Sequence, residues 1–290
     1  MAGGDEAGAE VVVLGFEWQL VAELLLLGCC SGFVAGLLGV GGGTLLVPFL
    51  TLLLSHRDVE LDMAVKMAIA TSMAVILFTS LSSLRAHNEH GAVRWDLVLA
   101  LAPGIAVGGL LAGAGVFAVL KGAWLSIFFA IFVVVSATQI LRNSRPAATR
   151  RMPGAGGQIA AGGAIGFLSG LVGAGGGFVA VPYMLWCNVT MHHVVATSAA
   201  LGFPIALTST LGYVIGGWSL PSALPGAFGY LYWPALFLVA STSVLLAPIG
   251  ARVAHAMDVA RLKRAFAGLL YGIAVYMLYV GVTGVIPTRN

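Results

Sequence analysis

Long apolar runs separated by short polar stretches occupy almost the whole chain. Val59–Leu84, Trp95–Leu120, Ala123–Leu141, His192–Ile215, Leu231–His255 and Arg264–Val285 are each of membrane-spanning length. A helix of about 20 residues crosses a hydrocarbon core of ~30 Å. Two further regions, Trp18–Leu54 and Gly157–Cys187, are too long for one helix and are interrupted midway by glycine. The interruptions are Gly39-Val40-Gly41-Gly42-Gly43 and Gly173-Ala174-Gly175-Gly176-Gly177, 134 positions apart. Such a cluster cannot continue a stable helix, because each glycine costs about 1 kcal/mol relative to alanine. The pattern predicts two helical hairpins: Trp18–Leu38 then Thr44–Leu54, and Gln158–Val172 then Phe178–Cys187. The fold class predicted is an all-α polytopic membrane protein. Each half has five helices, the first two forming a short glycine-broken hairpin.

The second half echoes the first. Gly32–Pro48 and Gly166–Pro182 are identical at 10 of 17 positions. Trp95 returns 138 positions later as Trp233, and Phe129-Ala130 returns 137 positions later as Phe266-Ala267. Ala70-Thr71-Ser72 is answered by Ala196-Thr197-Ser198. Arg142–Gly157, rich in Arg, Pro and Gly, reads as the hinge between halves. The expected organisation is an N-terminal tail 1–16, a first transmembrane repeat 17–141, a cytoplasmic linker 142–157, a second transmembrane repeat 158–285 and a C-terminal tail 286–290.

Composition and charge fix the environment and the orientation. The chain is 59% hydrophobic and 9% charged, with a mean hydropathy of +1.00. Soluble domains run near ~25% charged, so this is a membrane composition. The basic residues form no face, so the net charge of +3 is not a nucleic-acid signature. If each hairpin makes two crossings or none, ten basic residues around Arg85, Arg142–Arg151 and Arg252–Arg264 share one side. Arg57, Lys121 and Arg289 then lie opposite, and Lys66 is inside a helix. Merging each hairpin into one crossing evens this count and loses the positive-inside bias. The biased arrangement places both termini outside and gives each half an odd number of crossings, which makes the halves inverted repeats. The first ten residues lack the basic region of a signal peptide, so the first apolar run is expected to remain as a helix. Cys29, Cys30 and Cys187 lie within apolar runs, with no disulfide framework and no Cys/His metal spacing. No metal or cofactor is expected.

Breaking a helix inside a membrane frees backbone groups that lipid cannot satisfy. The arms beginning at Thr44 and Phe178 would present unpaired N–H groups and the positive ends of their dipoles. In inverted halves these ends converge near the midplane, a geometry that suits a small oxyanion and repels cations. The expected substrate-binding residues are Gly39, Gly41, Gly42, Gly43 and Thr44, with Gly173, Gly175, Gly176, Gly177 and Phe178 opposite. Thr71, Ser72, Thr197 and Ser198 would add hydroxyl donors from the following helices.

Each feature also has a plainer reading. Glycines in membrane helices serve close packing, hydroxyls bond back to their own helix, and Pro48 and Pro182 kink their arms. Recurrence at matching places favours a site over packing alone. Arg85 and His87 form a gate or vestibule, or else an interfacial turn, and Arg252 is a vestibule charge. His192-His193 either carry protons or form a solvated helix end. Asp62 and Lys66 read as an i,i+4 pair near the outer surface, with an anion-attracting role for Lys66 left open. Intramembrane carboxylates form no ion relay. Neither glycine cluster completes a nucleotide-binding motif, and H-E-x-x-H and G-x-S-x-G are absent, so no enzyme is expected.

The paired pattern G-x-x-x-G-L-x-G-x-G-G-G-x-x-x-x-P, read at Gly32–Pro48 and again at Gly166–Pro182, resembles the TauE/SafE family of sulfite exporters. Ala70-Thr71-Ser72, Ala196-Thr197-Ser198 and the series His87, Gly91, Val93 and Trp95 fit it too. The resemblance covers about residues 17–285 and implies secondary transport, export more often than import, of sulfite, sulfonates or related small organosulfur anions across a bacterial-type inner membrane. The second half has no counterpart to Arg85-Ala86-His87, so any role of that segment is asymmetric. A passive anion channel, a transporter of an unrelated small solute and a non-transporting scaffold are the alternatives. Expected partners are a small anion and membrane lipid, not nucleic acid, with homo-oligomer formation left open.

Overall fold

The computed structural model describes residues 12–13, 16–38, 43–89, 91–142, 152–256 and 259–285. Ten helices stand among these residues. They are α1 (Trp18–Leu38), α2 (Gly43–Ser55), α3 (Leu61–Glu89), α4, α5 (Gly122–Arg142), α6 (Ala155–Val172), α7 (Gly177–Trp186), α8 (Met191–Gly217), α9 (Trp233–Ala256) and α10 (Val259–Val285). Helix α4 runs Trp95–Leu110 and continues through a π-helical stretch, Leu111–Val116, to Phe117–Val119. Two short hairpins complete the described residues, β1 (Val12–Val13) with β2 (Phe16–Glu17) and β3 (Ala227–Phe228) with β4 (Leu231–Tyr232). Seven helices are long and apolar enough to cross a membrane, and the shorter α2 and α7 are equally apolar. The protein is an all-α polytopic membrane protein.

The glycine clusters break the helices where the pattern predicts. Helix α6 stops because Gly173 takes a left-handed φ of +70°, which a residue with a Cβ adopts only at a cost. Helices α2 and α7 begin on the last glycine of each cluster, one residue earlier than the pattern predicts. Both carry their proline, Pro48 and Pro182, in the interior.

The packing repeats between halves. Helix α1 lies along α9, with Gly28 against Val239 and Gly32 against Ser243. Helix α6 lies along α4, with Gly162 against Leu101 and Gly166 against Ile105. These are the same positions by the offsets of 134 and 138 seen in the sequence. At all four glycines a Cβ would run into facing backbone, so only glycine permits this approach. Helices α5 and α10 run antiparallel, with Ala123 beside Gly284 and Ile127 beside Gly281. Ser126 Oγ donates across that seam to the Met277 carbonyl at 2.5 Å, and Thr138 Oγ1 lies 2.8 Å from Tyr271 Oη.

Helices α3 and α8 are the most enclosed spans, each 61% buried, and cross at the centre of the bundle. Lys66 near the start of α3 and Gly217 at the end of α8 both meet Tyr230, so these helices also run in opposite directions.

Candidate functional site

The start of α2 meets the α6–α7 turn beside α3 and α8. Gly43, the first residue of α2, lies so close to Gly173 that a Cβ on it would fall 2.6 Å from the Gly173 carbonyl oxygen. Ser72 joins them, its hydroxyl donating to the Gly173 carbonyl at 3.1 Å and approaching that of Gly43 at 3.4 Å. Ile69 packs on Gly173, Ile76 on Gly43 and Gly175, and Ile205 on Gly176. Gly43 and the α6–α7 turn therefore sit among apolar side chains in the middle of the bundle. Gly39, Gly41 and Gly42 lie outside the described residues.

Among the described residues, some backbone donors of the α6–α7 tip find no acceptor. Gly173 N–H closes the last turn of α6 onto Ser169 O at 3.0 Å, and Gly177 N–H bonds Gly175 O. The N–H groups of Ala174, Gly175, Gly176 and Phe178 have no hydrogen-bond partner among the described residues. Residues 174–176 are buried and Phe178 is half-buried. An unpaired N–H away from water is costly and rare, which marks this turn as a place shaped for an acceptor. Consecutive N–H groups in such a turn form an anion-binding concavity.

Two threonine hydroxyls, one on α3 and one on α8, each hold a backbone segment of the other half. Thr71 Oγ1 accepts the backbone N–H of Tyr232 at 3.1 Å, and Thr197 Oγ1 accepts that of Arg94 at 3.1 Å. Both threonines are fully buried. Tyr232 and Arg94 are 138 positions apart, so the two contacts are equivalent in the two halves. An accepting hydroxyl keeps its own proton to donate elsewhere, whereas that of Ser72 is committed to carbonyls. His193 Nδ1 donates to the Ala92 carbonyl at 2.8 Å and fastens the segment before α4, while His192 is exposed.

The remaining predicted residues are dispersed. Thr44 and Ser198 are buried beside the crossing residues, and Gly177 begins α7. The Phe178 ring packs edge-on against Phe132 of α5, with centroids 6.0 Å apart, rather than against the threonines. Arg85 is exposed near the end of α3, away from the tips. The side chains of His87 and Arg252 lie outside the described residues. Sequence reasoning missed the backbone of Arg94 and Tyr232, although the matching Trp95 and Trp233 immediately after them were a signal. It also missed the buried hydroxyls of Ser169 and Ser209, which have no partner among the described residues.

On the side of the β3–β4 hairpin, a groove of about 980 Å³ lies between α1, α2 and the hairpin, with Tyr232 in its wall. Glu23, Arg57 and Asp58 line its polar end. Behind the hairpin, Lys66 Nζ pairs with Asp62 Oδ2 at 3.2 Å and sits 5.9 Å from the centre of the Tyr230 ring. Burial and, secondarily, the charge of Asp62 push the Tyr230 phenol above its ordinary pKa, so it stays neutral. Among the described residues no group of three or more His, Cys, Asp or Glu side chains is arranged to hold a metal ion.

Comparison with known proteins gives the chain its relatives. A family model described as "Sulfite exporter TauE/SafE" matches residues 24–277. A "Probable membrane transporter protein" of Haemophilus influenzae is 29% identical over 253 residues, covering 87% of this chain and 96% of that protein. A Bacillus subtilis protein of the same description, YunE, is 31% identical over 71% of this chain and 84% of its own length. A third, from Methanocaldococcus jannaschii, is 26% identical over 92% of this chain and 99% of its own. No solved structure matches.

Proposed function

The chain belongs to the sulfite exporter TauE/SafE family of membrane transporters, and on that premise we propose that it is a secondary exporter of small sulfur-containing anions such as sulfite and sulfonates. The reading rests above all on the N–H groups of Ala174, Gly175, Gly176 and Phe178, which have no hydrogen-bond partner among the described residues, in the turn that begins at Gly173 beside Gly43. A small oxyanion there would take several charge-assisted hydrogen bonds, each stronger than a neutral one. Enclosure among Ile69, Ile76 and Ile205 strengthens them by lowering the local dielectric.

The substrate lies against the Ala174–Phe178 turn, with the Thr71 and Thr197 hydroxyls as further donors. The halves act as inverted repeats, a reading supported by the antiparallel runs of α5 with α10 and of α3 with α8. The segment before α4 and the β3–β4 hairpin are then equivalent gates, each latched by one threonine. With both latches closed the site is occluded. Releasing one at a time gives alternating access, whereas a passive channel would need both open together. The orientation we propose follows the charge bias, with the linker in the cytoplasm of a bacterial-type inner membrane and both termini outside.

The test is counterflow in proteoliposomes. Vesicles preloaded with unlabelled sulfite should accumulate labelled sulfite transiently, with saturation and trans-stimulation. Non-saturating flux would replace the carrier with a channel. No flux of sulfite, thiosulfate, sulfate or sulfoacetate would overturn the anion assignment.

A further inference from the structure

We propose that Lys66 is the residue that makes the hairpin-side mouth selective for anions: it exchanges its Asp62 partner for the solute and relays that solute between Thr71 and the mouth, which the orientation proposed above makes the exit. The inference rests on the anion-transport reading above. Lys66 is the one charged side chain buried among the described residues. A membrane protein keeps such a charge at a cost, and intramembrane charges mark solute paths.

The Asp62–Lys66 pair is not a symmetric neutralising pair. The Asp62 side chain is 35% exposed and that of Lys66 only 9%, so the cation is the inner member. Asp62 is also engaged elsewhere, its Oδ1 accepting the backbone N–H of Gly122 at the start of α5. The carboxylate is thereby held by a helix N-terminus and shared away from the ammonium. Lys66 has three N–H donors and a single ionic partner among the described residues; its other neighbour is the face of Tyr230.

Position completes the argument. Lys66 touches the hairpin at Tyr230, and Thr71, five residues or ~7.5 Å further along α3, touches the same hairpin at Tyr232. Tyr232 also walls the groove, while neither Lys66 nor Thr71 lines it. The groove carries Glu23 and Asp58 as well as Arg57 and does not itself choose a sign. The first buried charge behind the hairpin does, and it is a cation.

The test compares full-length wild type, Lys66→Met, Lys66→Arg and the double variant Asp62→Asn/Lys66→Met by sulfite counterflow and by sulfite-dependent thermal shift. Loss of one hydrogen bond to a charged group should raise KM for sulfite about tenfold to hundredfold in Lys66→Met. The maximal rate should change little, and Lys66→Arg should stay near wild type. The increase should appear only for sulfite added on the hairpin side, in vesicles of defined orientation; a merely structural role would move both sides. The double variant buries no lone charge and should fold, yet it should share the raised KM. A wild-type KM in either Met variant, or an equal increase on both sides, overturns the inference while leaving anion transport standing. Absence of flux and thermal shift in the wild type overturns both.

Discussion

Gly43 faces the carbonyl of Gly173 with no room between them: a Cβ on Gly43 would fall 2.6 Å from that oxygen and 2.6 Å from Ile76 Cδ1. The contact joins the first half of the chain to the second at the point where both hairpins turn. Gly43→Ala should therefore separate the tips, because backbone cannot yield as a side chain can. Gly173→Ala adds the strain of a left-handed backbone at φ +70°, roughly 1–2 kcal/mol. Both variants are expected in the membrane with lower melting temperatures and little or no sulfite counterflow. Wild-type flux from either would remove the tips from the site.

Thr71→Val deletes the acceptor of a buried backbone donor, that of Tyr232, and Thr197→Val that of the part-buried Arg94 N–H. An orphaned buried N–H costs about 1–3 kcal/mol, so Thr71→Val should melt several degrees lower than wild type and Thr197→Val by less, since water can reach its donor. Thr71→Ser and Thr197→Ser keep the oxygen and should recover most of that loss. If the two latches are equivalent, the valine variants should impair counterflow to similar extents. A defect in one alone would assign gating to a single side.

Much of this architecture was legible because glycine clusters and long apolar runs act over a few residues. Gly173 ends α6 through its own backbone freedom, and α2 and α7 begin within one residue of the predicted places. The site was only half legible. Thr71 was named as a donor, but its acceptance of the Tyr232 N–H joins residues 161 positions apart through a backbone atom common to every residue type. Nor could composition tell that Ser72 would give its proton to carbonyls. Phe178 follows the same logic: its helical position was readable, while its direction depends on Phe132 from another element.

Gly28 and Gly162 occupy matching places, each pressed on the helix that begins with Trp233 or Trp95. Leucine at either position should force the helix pair apart. Overpacking of this kind costs typically ~1–3 kcal/mol, and more where backbone is the obstacle. Equal loss of monodisperse protein for Gly28→Leu and Gly162→Leu, read by fluorescence size-exclusion profiles, is the expected result. A tolerant position in one half would show that the duplicated packing carries unequal weight. As a control, Ser126→Ala removes a buried bond to Met277 in the α5–α10 seam. It should cost about 1 kcal/mol while leaving KM unchanged.

Orientation gives the last prediction. Gly122 bonds Asp62 and the hairpin packs on Lys66, so the segment carrying Lys121 and the β3–β4 hairpin lie at one end of the bundle. Helix α5 then runs from that end to Arg142, which with its neighbours Arg145, Arg150 and Arg151 puts four basic residues within ten positions. Lys/Arg-rich short loops are retained in the cytoplasm, so the Lys121 end is expected outside. In a variant with the three native cysteines replaced, a cysteine at Lys121 should react with an impermeant maleimide in intact cells. A cysteine at Ala147 should react only after permeabilisation. The reverse pattern would invert the protein in the membrane, put the Lys66 mouth in the cytoplasm and make that side the point of anion capture.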